Sequence, residues 1–317
     1  MTIASLTNGP LSDARYVVLP EHRGPGGFDH AAVHAASGHV YVAHTANDSA
    51  DVFDPISATY LFSVPQLPGV AGLVISDEAQ LVFTSNRAEN TIAVFAPQVN
   101  AQVLKIAVGM RPNGIAYDHT RRLILVANVG DATISGSHTL SLIDLDRQAV
   151  IAEIPVPGRT RWALFDPDAQ SFYVNIAEPP QIVVVDAKNP GAIARTLAMP
   201  ATGPHGLDVD LSTHRLFCAC DAGTLVTVDA LSGRALGETP LSGAPDVVFF
   251  NRQREQLYVA IGNPGVIDVF DTSTMTRAAQ VATEKGAHTL AIAPTGDRLC
   301  CFLPNTHRAA IYEVGNT

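Results

Sequence analysis

One pattern recurs seven times along the chain and constrains its fold more than any other feature. Each copy has an apolar segment, a polar turn, a β-branched run, a short loop, and another run ending in Asp or its equivalent. The copies read DHAAVHAASGHVYVAH, AGLVISDEAQLVFTSN, NGIAYDHTRRLILVAN, RWALFDPDAQSFYVNI, HGLDVDLSTHRLFCAC, DVVFFNRQREQLYVAI and HTLAIAPTGDRLCCFL. They begin at Asp29, Ala71, Asn113, Arg161, His205, Asp246 and His288, in steps of 42, 42, 48, 44, 41 and 42 residues. That period is the length of a four-stranded propeller blade, a unit that cannot bury its apolar face without neighbours. Seven such units fill the 317 residues, so the expected fold is all-β, a seven-bladed β-propeller of four-stranded antiparallel blades.

Within the third unit the strands A to D are NGIAY, LILVAN, LSLIDL and AVIAEIPV, separated by Gly, Pro, Asp and Asn. The C strands of the other units (ADVFD, IAVFA, IVVVD, LVTVD, IDVFD, AIYEV) are dense in Val and Ile, as befits strands packed on both sides by neighbouring blades. The seventh unit has only residues 288 to 317, enough for three strands. The orphan segment ARYVVLP near the N-terminus is expected to supply the fourth and remove the exposed edges of an open ring. The organisation is then an N-terminal tail over residues 1–13 and a single propeller domain over 14–315.

Composition agrees with a well-buried, turn-rich chain. Hydrophobic residues make up 47% and charged residues 16%, against roughly 25% charged in an average soluble domain, with 24 Gly and 21 Pro to break the strands. A formal net charge of −10 gives no electrostatic footprint for nucleic acid or an anionic membrane. No apolar run approaches a membrane span, and MTIASLTNGPLSDAR lacks the basic start and apolar core of a signal peptide, so a cytoplasmic location is expected. Cys218, Cys220, Cys300 and Cys301 fall inside apolar runs without CxxC spacing, which reads as buried reduced thiols. Cys220 is the one thiol whose place at a strand B end brings it near a pocket.

The stretches GMRPNGIAYDHTRRLILVAN, TGPHGLDVDLSTHRLFCAC and SGAPDVVFFNRQREQLYVA resemble the blade pattern of the YVTN family of seven-bladed propellers, over residues 14 to 315. The resemblance implies the propeller fold. Relatives in this class look like lactonases, metal-dependent lyases, cofactor-enzyme subunits and plain binding scaffolds, and a fold does not select among these. With one Trp and no repeated Trp-Asp, the chain departs from WD40 scaffolds.

Alternation of strand direction sorts the side chains by face. Starts of A, ends of B, the B–C loops and the D–A loops gather on one face of the disc. At ~3.3 Å per residue, His34 and His39 end near the opposite face as turn histidines, whereas His30 and His44 return to the first. His44 aligns there with Asn86 and Asn128. The A-start ring around the channel contains Asp29, Asn113, Arg161, His205, Asp246 and His288. Strand alternation lets either Asp29 or His30 point inward, not both. His205, Asp246 and His288, with Asp29 or His30, come from blades five, six, seven and one. Such a set suits a divalent metal, with Zn²⁺, Mn²⁺ or Fe²⁺ favoured over Ca²⁺.

Across the same face, Arg87, Arg111, Arg159 and Arg161 suggest bidentate recognition of a carboxylate or phosphate, unless each pairs with an acid such as Glu89 or Glu178. Asn113, His44, Asn86 and Asn128 complete the expected substrate-binding set. Trp162 is expected in blade packing. The long B–C loop NVGDATISGSHT of blade three reads as a surface insertion or a partial lid carrying His138. GxSxG, Walker A, GxGxxG and HExxH motifs are absent from the sequence. The expected function is therefore a metal-dependent enzyme acting on a small anionic molecule at the channel mouth, a lactonase-type hydrolase or a lyase. His205, Asp246 and His288 would be its catalytic and metal-binding residues. The alternative is a non-catalytic propeller that binds a ligand or a protein.

Overall fold

The computed structural model describes residues 9–12 and 14–315. Seven four-stranded antiparallel sheets form the blades of an all-β propeller. In blade three the strands are Pro112–Asp118, Leu123–Asn128, Thr139–Asp144 and Ala149–Pro155, within one or two residues of the segments read from the repeat. Strand A of each blade is innermost, and each D strand forms the outer edge. The outermost strand of blade five, Ala235–Pro240, is exposed along most of its length, whereas strand B of blade three is buried throughout.

The Asp residues of the repeat cap turns. Asp118 Oδ1 accepts from the backbone N–H of Thr120 and Arg121, and Asp166 Oδ1 accepts from Asp168 and Ala169. These are side-chain-stabilised turns of the kind Asp favours. His34 lies in the corresponding turn of blade one, where Nδ1 meets Ser37 Oγ at 2.8 Å and Nε2 meets Gln80 Oε1 at 3.3 Å.

Each blade-to-blade interface has its own apolar cluster. Blades three and four share Leu125, Leu142, Phe172 and Val183, and blades five and six share Phe217, Leu225, Val259 and Phe270. The core is thus a ring of seven interfaces around an open axis, which leaves the axis free for polar groups.

The ring closes as the sequence predicts. Arg15–Val18 pairs antiparallel with Arg308–Glu313, with Arg15 opposite Ile311 and Val18 opposite Arg308. Leu11 adds an isolated bridge to Val314 and is itself buried, so pairing reaches into the segment expected to be tail. Residues 1–8 and 13 of that segment lie outside the described residues. All four cysteines are buried free thiols, and Cys220 sits in the interface of blades four and five, away from the channel.

Candidate functional site at the channel mouth

Local backbone geometry builds the mouth. Pairing of strands A and B slips by a bulge just after the start of A in blades one to five, between Phe28 and Ala31, Val70 and Leu73, Pro112 and Ile115, Thr160 and Ala163, and Pro204 and Gly206. A bulge breaks the strict alternation of side chains. Asp29 and His30 therefore both reach the polar mouth, and the expected choice between them does not arise. Asp29 Oδ2 is 3.1 Å from Arg87 Nη1, while the His30 ring stacks on Trp162 at 4.0 Å between centroids.

Glycine two residues into the bulge lets neighbouring blades approach. A Cβ at Gly72 would lie 2.0 Å from the Asn113 carbonyl oxygen, at Gly114 2.5 Å from that of Arg161, and at Gly206 2.3 Å from that of Asp246. Each of these glycines abuts the backbone of the next blade's first A residue, and so sets how closely the mouth residues crowd the axis.

At the centre lies a charge network. His205 Nδ1 is 2.7 Å from Asp221 Oδ1, and His205 Nε2 is 3.1 Å from Asp246 Oδ1. Arg161 places Nη2 3.1 Å from Asp221 Oδ2 and Nη1 3.1 Å from His205 Nε2. His205 Nε2 cannot both donate to Asp246 and accept from Arg161. Asp246 decides the matter, because its side chain is only 27% exposed and its other partner in the network, His288 Nε2 at 3.8 Å, is too far for a hydrogen bond. His205 is thus an imidazolium donating from both nitrogens. Burial alone would push its pKa down, but the Asp246 charge and the hydrogen bonds to Asp221 and Asp246 outweigh this and push it up to about 9. Burial raises Asp246 in turn, and the opposing His205 charge wins and holds it well below the usual carboxylate range. His288 Nδ1–H donates to Gly286 O at 2.7 Å, and its Nε2 lies 3.8 Å from Asp246 Oδ2.

A metal held by the donor set expected from sequence would have to displace the protons that His205 shares with Asp221 and Asp246. An imidazolium has no lone pair, and the Arg161 guanidinium stands against the one nitrogen that would have to give up its proton. Among the described residues, no three His, Cys, Asp or Glu side chains are drawn around a common point.

The arginines divide into two pairs. Arg87 is held by Asp29 and donates to Asn113 Oδ1 at 2.6 Å, and Arg161 is held by Asp221. Their partners are therefore neither Glu89, which pairs with Lys105 at 2.6 Å, nor Glu178. Arg111 and Arg159 have no acid or hydrogen-bond acceptor on their guanidinium groups among the described residues. Burial, and then repulsion from Arg161, Arg111 and Arg87, lower the Arg159 pKa, so all four cations share one region. Arg111 takes a left-handed backbone (φ 53°), with its N–H donating to Asn90 Oδ1 of the preceding blade at 2.8 Å.

Three residues expected at the site are elsewhere. His44 is fully buried, with Nδ1 2.6 Å from Asp51 Oδ2. Asn86 donates to Thr91 Oγ1 and Asn128 to Thr139 and Ser141, so both amides hold their own blades together. The end of strand B runs back toward strand C, not into the channel. Trp162 packs against two of the interface clusters, as expected, and also borders the mouth. It stacks on His30, meets Phe249 edge-on at 6.2 Å, and with Phe249 lines an apolar cavity of about 310 Å³ further along the channel. The blade-three insertion folds on itself, with Ser137 Oγ bonded to both the N–H and the carbonyl of Asp131.

Asp221 was the functional side chain missed by the sequence reading. It directly follows strand B of blade five, the position Arg87 holds in blade two, and that correspondence was the signal available. The chain matches no protein-family model, and a search of curated proteins finds no match to it.

Proposed function

We propose that the protein binds a small anionic molecule, a carboxylate or phosphate, at the channel mouth, with Arg111 and Arg159 as its counter-charges. One observation carries this reading: four guanidinium groups share one region of an acidic protein, and two of them make no salt bridge among the described residues, Asp131 and Asp221 acting on them only from a distance. Repulsion among cations held by the fold is relieved by an anion, and the planar guanidinium fork suits a bidentate one. Arg87 and Arg161, fixed by Asp29 and Asp221, form the wall of the site, and Trp162 with His30 its aromatic side.

The resemblance to YVTN propellers makes lactone hydrolysis or a lyase step the reaction class to assay first. In a metal-free version His288 Nε2 is the acceptor for a proton from the bound molecule or from water, and the His205 imidazolium between Asp221 and Asp246 fixes the charge next to it. The metal-dependent version is the second reading. It is favoured by the convergence of His205 and His288 on Asp246 from three adjacent blades, and it requires His205 to lose a proton and Arg161 to move aside.

Trp162 is the only tryptophan, so its fluorescence reports on the mouth directly. Titration with acetate, citrate and inorganic phosphate, with and without divalent metal, should change that fluorescence saturably for at least one anion. Arg159→Met and Arg111→Met should each weaken binding by about 1–3 kcal/mol. Arg161→Lys, which keeps the charge and loses the fork, should weaken it as well. No binding across the panel, or variants that bind like the parent, would refute the anion site and favour a protein-docking scaffold.

A further inference from the structure

A second group of chemistry-bearing side chains lies at the seam where the ring closes. His22 is in the connection from the closing strand to blade one. His44 ends strand B of blade one (Val40–His44), and His307 directly precedes strand C of blade seven (Arg308–Glu313). The His22 ring is 4.9 Å from that of His44 and 4.3 Å from that of His307, centroid to centroid, edge to face in both cases. Phe28 closes the apolar side, 4.6 Å from His44 and 5.2 Å from His22.

The polar atoms of this group are unusual. His44 Nδ1–H donates to Asp51 Oδ2 at 2.6 Å, and both side chains are fully buried. Asp51 Oδ1 also accepts from Ser49 at 3.1 Å and Ser63 at 2.5 Å. With Nδ1 of His44 engaged by Asp51, Nε2 is the nitrogen left for a further partner. That atom, His22 Nε2 and His307 Nδ1 are all shut off from solvent and have no hydrogen-bond partner. Buried polar groups are nearly always satisfied, so three orphan imidazole nitrogens, on a His22 ring and the two rings it touches, point to a missing occupant. Imidazole held by a carboxylate through its other nitrogen is also the usual setting of a metal-bound histidine.

We propose that His22, His44 and His307 form a binding site for a borderline divalent ion, Zn²⁺ being the best match to three imidazoles, with water completing the shell. His44, locked by Asp51, is the fixed ligand. The three nitrogens are not gathered about one point in the structure; His22 and His307 are only part-buried, and they turn about their side-chain bonds to bring Nε2 and Nδ1 onto the ion. Glu284 positions the His307 loop by accepting from the Thr306 hydroxyl at 2.8 Å and from the N–H of Asn305 at 2.5 Å. The ion would link blade one, blade seven and the closing connection, and it is independent of the anion site at the mouth.

The test uses the full chain, purified without a polyhistidine tag and stripped with chelator. Titration with zinc chloride should show one equivalent bound by calorimetry and a melting temperature that rises with zinc concentration. His22→Ala and His307→Ala, at part-buried positions that leave the fold intact, should each weaken zinc binding at least tenfold and abolish the zinc-dependent rise. Asp51→Asn should weaken binding by about 10–100-fold. His288→Ala should bind zinc as the parent does. Three outcomes would overturn the proposal: no zinc-dependent stabilisation of the parent, zinc binding unchanged in both seam variants, or binding lost in His288→Ala but kept in His307→Ala, which moves the ion to the mouth.

Discussion

Replacing His205 with Gln removes the only titrating group in the mouth network that carries its proton far above its ordinary range. The imidazole titrates at 6.5 in the unfolded chain and at about 9 in the fold. A folded pKa above the unfolded one stabilises the protein fully below pH 6.5, and that stabilisation is lost as the pH rises through 9. The gap corresponds to about 3 kcal/mol at most. The value is an upper bound, because the Asp221 side chain is 37% exposed and its share is screened by solvent. Asp246 reports the same interaction from the acid side, where its contribution is lost as the pH falls below the usual carboxylate range, and it is not added again. The assay is chemical denaturation of parent and His205→Gln from pH 6 to pH 10. The parent should lose up to about 3 kcal/mol more than the variant across this interval, other groups cancelling in the difference. Parallel profiles would refute the imidazolium assignment and return His205 to a neutral ring accepting from Arg161.

Deleting residues 1–20 should lower the melting temperature by several degrees, since it leaves the outer edge of strand C of blade seven unpaired and removes Val17 and Leu19 from the core; an unchanged melting curve in calorimetry would show that the seam lies elsewhere. Gly114→Ala should cost about 1–3 kcal/mol by denaturant unfolding and weaken anion binding along with it, because the new Cβ pushes on the Arg161 carbonyl. His34→Ala and His39→Ala, on the opposite face, should leave anion and zinc binding unchanged.

The repeat was legible because blade packing favours the same residue types in copy after copy: β-branched residues in B and C, Asp at several of the turns, Gly at the inner bulge of blades two, three and five. The missing fourth strand of blade seven was a matter of counting, and it located the seam. The mouth was only partly legible. The ring of A-start residues came from the register of the repeat, and His205, Asp246 and Arg161 do meet there. Sequence position could not reveal the bulge that turns both Asp29 and His30 to the same side, since a bulge at this point is a backbone choice with no fixed residue signature. Nor could it show which histidine nitrogen is already engaged. His44 at a strand B end and His205 at a strand A start are both expected on the same face, yet Asp51 draws the first into the blade and Asp221 keeps the second at the mouth.

The closing strand joins residues at opposite ends of the chain, Arg15 facing Ile311. Contacts of such separation require the largest loop to close, and they form late. During synthesis the interfaces of blades one to six become available in order as each blade leaves the ribosome. The N-terminal strand must wait with an unsatisfied apolar edge until strand C of blade seven has been made. Completion of this ring therefore waits until all seven blades have been made, and the interval before it is when the chain is most open to pairing with another copy of itself.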